Sequence, residues 1–484
     1  MGIFDFWRRK RRQERRAIPV TASVLNSVDD RQNAAYFTTA QDNSADRICS
    51  TQERKRLRAM CRKVFLDNSF ALNAARSLAL SVYGSGPSLQ VKTDDDALNT
   101  AIEQLYKRWR KQTDYDTKFL TAIQALCSDG EAFFRLYKDP YVTIGGWNVE
   151  LIEAYRVESR TTEMLLPNEY DGILYDDYGR PVEYTLLIVH DNPMYPQPLE
   201  WETVSADRME HLFIPCLANQ RRGLPLLQSA LQTLASLQKL EDSTLAAAET
   251  AAKLSFVLET DLDPTVDLNG QYVTADDGFG AFDTITLPKT NAGLTLPSGF
   301  KVSQLKAEQP TTAYSPFKTD CLIGVGAAIG EPRNIVLNDS SSYNYSSARL
   351  DAQVFERWAA TIQTICVKIL DSHFKTIISA IADSNPATKT LLERYRLDAI
   401  PFGWYFAAPT HIDRQKEASA DVMLLKNNCM SLRDYYAKQG RDWRAELEQI
   451  AAERRLMADL GITPEDIVTA EQEQQEVVEQ GERL

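Results

Sequence analysis

Residues 338–349 read NDSSSYNYSSAR. Three serines in a row, two tyrosines about an asparagine and two further serines offer no alternation of apolar and polar positions, so the stretch cannot build a core strand. The apolar run CLIGVGAAIG (321–330) ends eight residues upstream. Immediately downstream, over 346–370, Leu350, Val354, Trp358, Ile362, Ile365 and Ile369 recur at three- and four-residue spacings. That period predicts an amphipathic helix. A small, hydroxyl-rich loop is therefore carried between two helical segments.

Working outward, residues 314–329 read as a helix. Before them, 259–310 holds only weak strand patterns, GAFDTITLP (280–288) and SGFKVSQL (298–305), among Asp, Gly, Asn and Pro. Earlier still, PLLQSALQTLASLQKLEDSTLAAAETAAKL (225–254) has no glycine, and its proline stands at the start, where a helix accepts it. Leu227, Leu231, Leu234 and Leu245 lie on one stripe, and the far end is rich in alanine. This predicts one helix of about 30 residues, roughly 45 Å long at 1.5 Å per residue. Two helices that bracket a small β-rich insertion make a hairpin that projects something outward.

The first 220 residues mix helices and short strands without a βαβ rhythm. Residues 50–82 predict helix broken at Asp67-Asn68-Ser69, a good N-cap for the second piece. A strand follows within YGSGPSLQV (83–91). Residues 96–128 predict helix anchored by Leu105, Trp109, Phe119, Ile123 and Leu126. Strands are predicted in 130–139, 148–159 and 209–217, and after the turn at Gly179-Arg180-Pro181. Near the end, 413–426 and a charged stretch from 440 predict further helices.

Composition narrows the function. With 484 residues, several modules are expected; 44% apolar and 25% charged residues suit a folded protein. No apolar run approaches the roughly 20 residues that span a bilayer, so no membrane partner is expected. No secretory signal is expected, and Phe6 stands where an N-myristoylation site wants Ser or Thr. The seven cysteines are scattered without a CxxC pair, which predicts buried thiols in a reducing compartment. The four histidines are dispersed, so no metal site is expected. There is no P-loop, and the dipeptide Gly-Lys never occurs; GxSxG, HExxH and DFG are missing too. The glycines of GVGAAIG follow no strand of a βαβ unit, so no dinucleotide is expected. The acid runs Asp94-Asp95-Asp96 and Asp176-Asp177 read as solvated loops. No cofactor is predicted. The net charge of −13 is uneven. Residues 1–20 carry seven Lys/Arg against two acids, and 471–484 carry five Glu against one Arg. Such ends are solvated tails or docking arms.

Five stretches, in this order, resemble the lambda-like family of portal proteins of tailed bacteriophages. They are GEAFFRLY (130–137), YDDYGRPVEY (175–184), NQRRGLPLL (219–227), IGEPRNIVLNDSSSYNYSSAR (329–349) and PTHIDRQKEASAD (409–421). Arg414 stands where the family has proline, and Asn428-Cys429-Met430-Ser431 departs from its Gly-containing step. The resemblance covers roughly 50–455.

The resemblance implies an α+β portal fold: a basic arm (1–49), a mixed α/β wing (50–224), a stem helix (225–258), a small β-rich clip (259–310) and a second stem helix (311–330). A tunnel loop (331–345), a long wing helix with return strands (346–409) and a helical crown with an acidic tail (410–484) complete it. It further implies a homo-oligomeric ring, typically of twelve, at one capsid vertex, through which double-stranded DNA is packaged and ejected. Implied partners are the large terminase, which supplies the ATPase, the major capsid and scaffolding proteins, and a head-completion or adaptor protein. The protein would reside in the virion, with assembly in the host cytoplasm. The residues implied to face DNA are Arg333, Asn334, Asn338, Ser340, Ser341, Ser342, Tyr343, Asn344 and Tyr345. Small hydroxyl and amide groups can touch phosphates without holding them, and an acidic or neutral lining keeps sliding easy. Arg333 is the exception, either a phosphate contact or half of an intersubunit ion pair. The alternatives are a non-portal capsid connector and a hydrolase built on Asp/Glu and His411.

Overall fold

The computed structural model describes residues 43–160, 168–189, 200–253, 257–260, 300–303, 314–341, 344–382, 385–407, 414–439, 441 and 443–461. Residues 1–42, GAFDTITLP, most of 259–310, Ser342, Tyr343, His411 and the acidic tail lie outside them. The chain divides into two compact units, Met1–Leu231 with Ile323–Leu484, and Gln232–Leu322.

The larger unit opens with α1 (Ala45–Ile48), α2 (Thr51–Asp67) and α3 (Ser69–Val82). The break between α2 and α3 is the predicted one: the Asn68 side chain accepts from the amides of Phe70 and Ala71 and so satisfies two of the donors a helix start leaves unpaired. Strand β1 (Ser88–Val91) leads to α4 (Asp96–Gln112), capped by Asp95, and α5 (Tyr115–Ser128). The sequence predicted one helix over 96–128. The chain instead breaks at Asp114, whose φ of 50° is left-handed, a conformation that costs aspartate less than most residues.

Next come β2 (Glu131–Lys138), β3 (Trp147–Ile152), β4 (Glu169–Tyr170), β5 (Ile173–Tyr175), β6 (Pro181–Ile188), β7 (Glu200–Ser205) and β8 (Met209–Phe213). They form two antiparallel sheets, ordered β3-β2-β8 and β4-β5-β6-β7. The 148–159 strand stops early because a 3-10 turn, Ala154–Arg156, takes over. Strands β4, β5 and β7 were not foreseen; the first two have only two and three residues.

After a 3-10 turn, Leu226–Ala230, the helix expected over 225–254 runs as α6 (Leu231–Lys253). In the smaller unit β9 (Val257–Thr260) pairs antiparallel with β10 (Phe300–Ser303), and Glu241 of α6 pairs with Lys318. Lys318 belongs to α7 (Tyr314–Ile329), the helix predicted over 314–329. Then follow α8 (Arg333–Leu337), α9 (Tyr345–Ile381), α10 (Pro386–Arg394), β11 (Phe402–Tyr405), α11 (Arg414–Lys426), α12 (Leu432–Lys438) and α13 (Trp443–Leu460). β11 pairs antiparallel with β1.

Helix α9 has 37 residues, about 55 Å of rise and longer than the pattern predicted. Its buried side is Phe355, Ala359, Ile362, Cys366, Ile369, Leu370, Phe374, Ile377 and Ile378. Leu350 and Val354, placed on the core stripe by the sequence, are 62% and 56% exposed. The cause is geometric: at about 100° per residue, steps of four drift by about 40° each, so Leu350 lies about 120° around the helix from Ile362.

Trp109, Tyr106, Tyr115, Phe119, Phe133, Phe134 and Phe374 are the largest aromatic side chains under 2% exposed, and they hold the core. Each such burial contributes roughly 1.5–3 kcal/mol before entropy is charged. Cys49, Cys61, Cys127 and Cys366 are buried as predicted, but Cys321 is half-buried and Cys216 and Cys429 are exposed.

Candidate functional site

The opening loop sits at a joint where α7 ends, α8 makes one turn and α9 begins. The joint is tight because two glycines allow it. A Cβ on Gly326 would stand 2.4 Å from Val336 Cγ2, so α8 could not fold back onto α7. Gly330 has φ of 89°, and a Cβ there would meet the Trp358 ring at 2.8 Å. Trp358 Nε1 donates to the Ile329 carbonyl at 2.8 Å, which ties α9 to the last turn of α7. These are the close glycines of GVGAAIG, and their work is backbone approach.

The loop is fastened at both ends by asparagine. Asn338, with φ of 50°, ends α8 in the left-handed conformation, the usual way to stop a helix. Asn344 caps α9: its Oδ1 accepts from the Ser347 amide at 2.8 Å. Between them the Ser341 amide donates to Asp339 Oδ1 at 2.9 Å. That amide and the Ser341 hydroxyl hold the Asp339 carboxyl below its usual range, and Arg333 adds a smaller pull. Of the predicted residues, Arg333 and Asn334 are half-buried on α8, while Asn338, Ser340, Ser341 and Asn344 are exposed. The structure thus makes 333–337 a helical turn, while 338–341 and 344 lie outside helix and strand. Ser342, Tyr343 and the Tyr345 side chain are outside the described residues.

Sequence reasoning passed over Glu331, at the base of the joint. It is 5% exposed, and neither carboxyl oxygen finds a hydrogen-bond partner among the described residues. Burial pushes its carboxyl up to about 8; Ser77 and Leu78 of α3 oppose this weakly without reaching hydrogen-bond geometry. The reason is the loss of hydration for a charge with nothing to replace it.

A second constellation explains two of the quoted motifs. Glu131, from GEAFF, and Arg222, from RRGLP, are 91 positions apart and both 1% exposed. Arg222 Nη2 donates to Glu131 Oε1 at 2.6 Å and its Nε to Oε2 at 2.9 Å. The Gly223 amide donates to the same carboxylate at 2.9 Å, and His211 Nε2 lies 2.9 Å from it. Burial alone would raise the Glu131 carboxyl, but Arg222 and His211 hold it well below its usual range. Burial pushes the His211 imidazole down, against the pull of Glu131. Arg222 Nη1 also reaches Asp171 Oδ2 at 3.1 Å, and Asp171 pairs with Arg54. The glycines are obligatory here: a Cβ on Gly130 would lie 2.2 Å from the Leu224 carbonyl carbon, and one on Gly223 would lie 2.1 Å from the Gly130 oxygen. In the third motif, Asp176 accepts from the amides of Tyr178 and Arg180 at 2.9 and 2.8 Å. Gly179, with φ of 79°, completes that turn.

The bonds at the joint and in the buried network all fasten one backbone segment to another. Residues 29–363 match the family described as "Phage portal protein, lambda family", and the chain belongs to that family. It is 24% identical over 460 residues to the "Probable portal protein" of Halomonas phage phiHAP-1, covering 89% of this chain and 86% of that one. It is also similar, at 14% identity, to a chain in the neck of an empty gene transfer agent particle computed with C6 symmetry (TM-score 0.47, 69% of this chain and 88% of that one). A chain in the virion of the native particle gives a TM-score of 0.44 over 69% and 86%. Portal proteins are structural components of the phage virion.

Proposed function

We propose that this portal protein assembles as a ring, of about twelve copies in this family, at one capsid vertex, and that double-stranded DNA passes through the ring during packaging and ejection. Family membership supports the reading. The observation that carries it to particular residues is the polar stretch between Asn338, which ends α8, and Asn344, which caps the 37-residue helix α9. Fixed ends with a low-charge middle suit a surface that touches a sliding polyanion without gripping it, since each phosphate-bound Lys or Arg would release counterions and tighten the hold.

On this reading α6 and α7 are stem helices and the chain between them is the clip, where the large terminase docks; the separate compact unit Gln232–Leu322 supports that division. The strands and helices before Leu231, with α9, form the wing, and α11 to α13 the crown. Capsid, scaffolding and adaptor proteins complete the partners, and the chain itself performs no catalysis. The test replaces Ser340 and Ser341, both exposed, with lysine. Rings near the native mass of twelve 54.6 kDa chains, about 655 kDa, should still form, while the length of packaged DNA should fall. Normal rings with normal packaging would remove the loop from the channel. Monomers alone in native mass spectrometry would count against the ring.

A further inference from the structure

A cleft of about 1110 Å³ opens in the larger unit between the β5–β6 turn, β8 and residues 218–221. It exceeds the usual 300–1,000 Å³ of small-molecule sites. Tyr175, Tyr184, His211 and Phe213 give it aromatic walls, and its acids Asp46, Asp207 and Glu210 outnumber Arg221, which pairs with Asp46. Tyr178, 86% exposed, stands at its edge. The chain itself enters here, because Ser44, Ala45 and Asp46 are part of the wall.

We infer that this cleft seats residues 33–42 of the same chain, NAAYFTTAQD. Position comes first: Ser44 lies on the wall, and the segment ends two residues before it. Ten extended residues reach up to about 35 Å, enough to cross a space of this size. Chemistry comes second. Tyr36 and Phe37 are adjacent aromatics flanked by Ala34, Ala35, Thr38 and Thr39, small enough to let both rings reach aromatic walls, where offset and edge contacts are favoured. Charge comes third. Residues 33–41 carry none and Asp42 is the segment's single charge, so the segment adds little repulsion beside Asp207 and Glu210. Farther upstream the basic residues of 1–20 meet an acidic opening, which favours the approach. Seated this way, the segment anchors the root of the basic arm.

The experiment places the photo-reactive p-benzoylphenylalanine at Tyr178, an exposed position, in the full chain. After irradiation and trypsin, the cross-linked peptide should be Gln32–Arg47, with attachment mapped by fragmentation to 33–42. In a mixture of ¹⁴N- and ¹⁵N-labelled protein, both halves of the product should carry one isotope. A mixed-isotope product would assign the cleft to a neighbouring copy and overturn the inference, and so would cross-linking elsewhere or none. A second variant, Tyr36→Ser with Phe37→Ser, should reduce the cross-link at least tenfold at unchanged circular dichroism. An undiminished yield would equally overturn it.

Discussion

Glu331 carries a charge problem that the rest of the joint avoids. Its carboxyl titrates near 4.5 in an unfolded chain and is pushed up to about 8 by burial in the fold. Between those values the native state holds a proton that the unfolded state has lost. Stability from this group is therefore complete below about pH 4.5, declines as pH rises, and is fully lost above about 8. At 1.36 kcal/mol per pH unit the span is on the order of 5 kcal/mol, an upper bound because relaxation relieves buried charges. Glu331→Gln should flatten that decline. The difference in urea midpoint between pH 6 and pH 9 should shrink in the variant, and an unchanged difference would show that Glu331 is not the titrating group. Gly130 gives a second residue-scale expectation. Gly130→Ala forces a left-handed alanine against the Leu224 backbone, and should cost roughly 2–4 kcal/mol in denaturant unfolding. A loss below about 1 kcal/mol would mean the 130–131 and 223–224 segments part easily.

At the scale of elements, the joint depends on Trp358. Because it is half-buried, Trp358→Ala should cost somewhat less than the 3–5 kcal/mol of a fully buried aromatic, about 2–4 kcal/mol. Trp358→Phe keeps the ring but loses the bond to Ile329, worth about 0.5–1.5 kcal/mol. If both variants unfold at the wild-type midpoint, the tie between α7 and α9 is not a stabilising contact. Much of this was legible in the sequence where local chemistry decides. Asn68 read as a cap, and the helix over 314–329 appeared at its observed bounds, whereas Asp95, read as part of a solvated acid run, caps α4. The misses have physical causes. Asp114 breaks a continuous helical pattern through a conformation that no composition announces. Strand β7 begins directly after residues dense in proline, and β4 is too short for any period to show. The core stripe of α9 was misplaced because strict four-residue steps drift around the helix. At the site, the loop was legible from its residues, but its fastening was not. Glu331 looks like any surface glutamate until α3 covers it, and the partnership of Glu131 with Arg222 spans 91 positions. The motifs were visible; their meeting was not.

The whole molecule adds a constraint on how the proposed ring would meet DNA. Each chain carries a net charge of −13, so a ring of about twelve would carry roughly −150, and its mean field repels a duplex. Against that background the seven Lys/Arg of residues 1–20, all within 8–16, form a dense positive segment. Binding through phosphates falls steeply with salt, with a log–log slope near −0.9 for each phosphate neutralised. Assembled rings should therefore bind free duplex weakly at physiological salt. At 50 mM salt they should bind measurably, and the slope should report the arm. Removing residues 1–16 should abolish most low-salt binding and flatten the slope, while leaving ring mass unchanged. Fluorescence anisotropy of a labelled duplex across a salt series, run on both proteins, reads affinity and slope together. If the truncated protein keeps tight, steeply salt-dependent binding, the cations lie in the folded body, and a channel lined to let DNA slide is the wrong account of this surface.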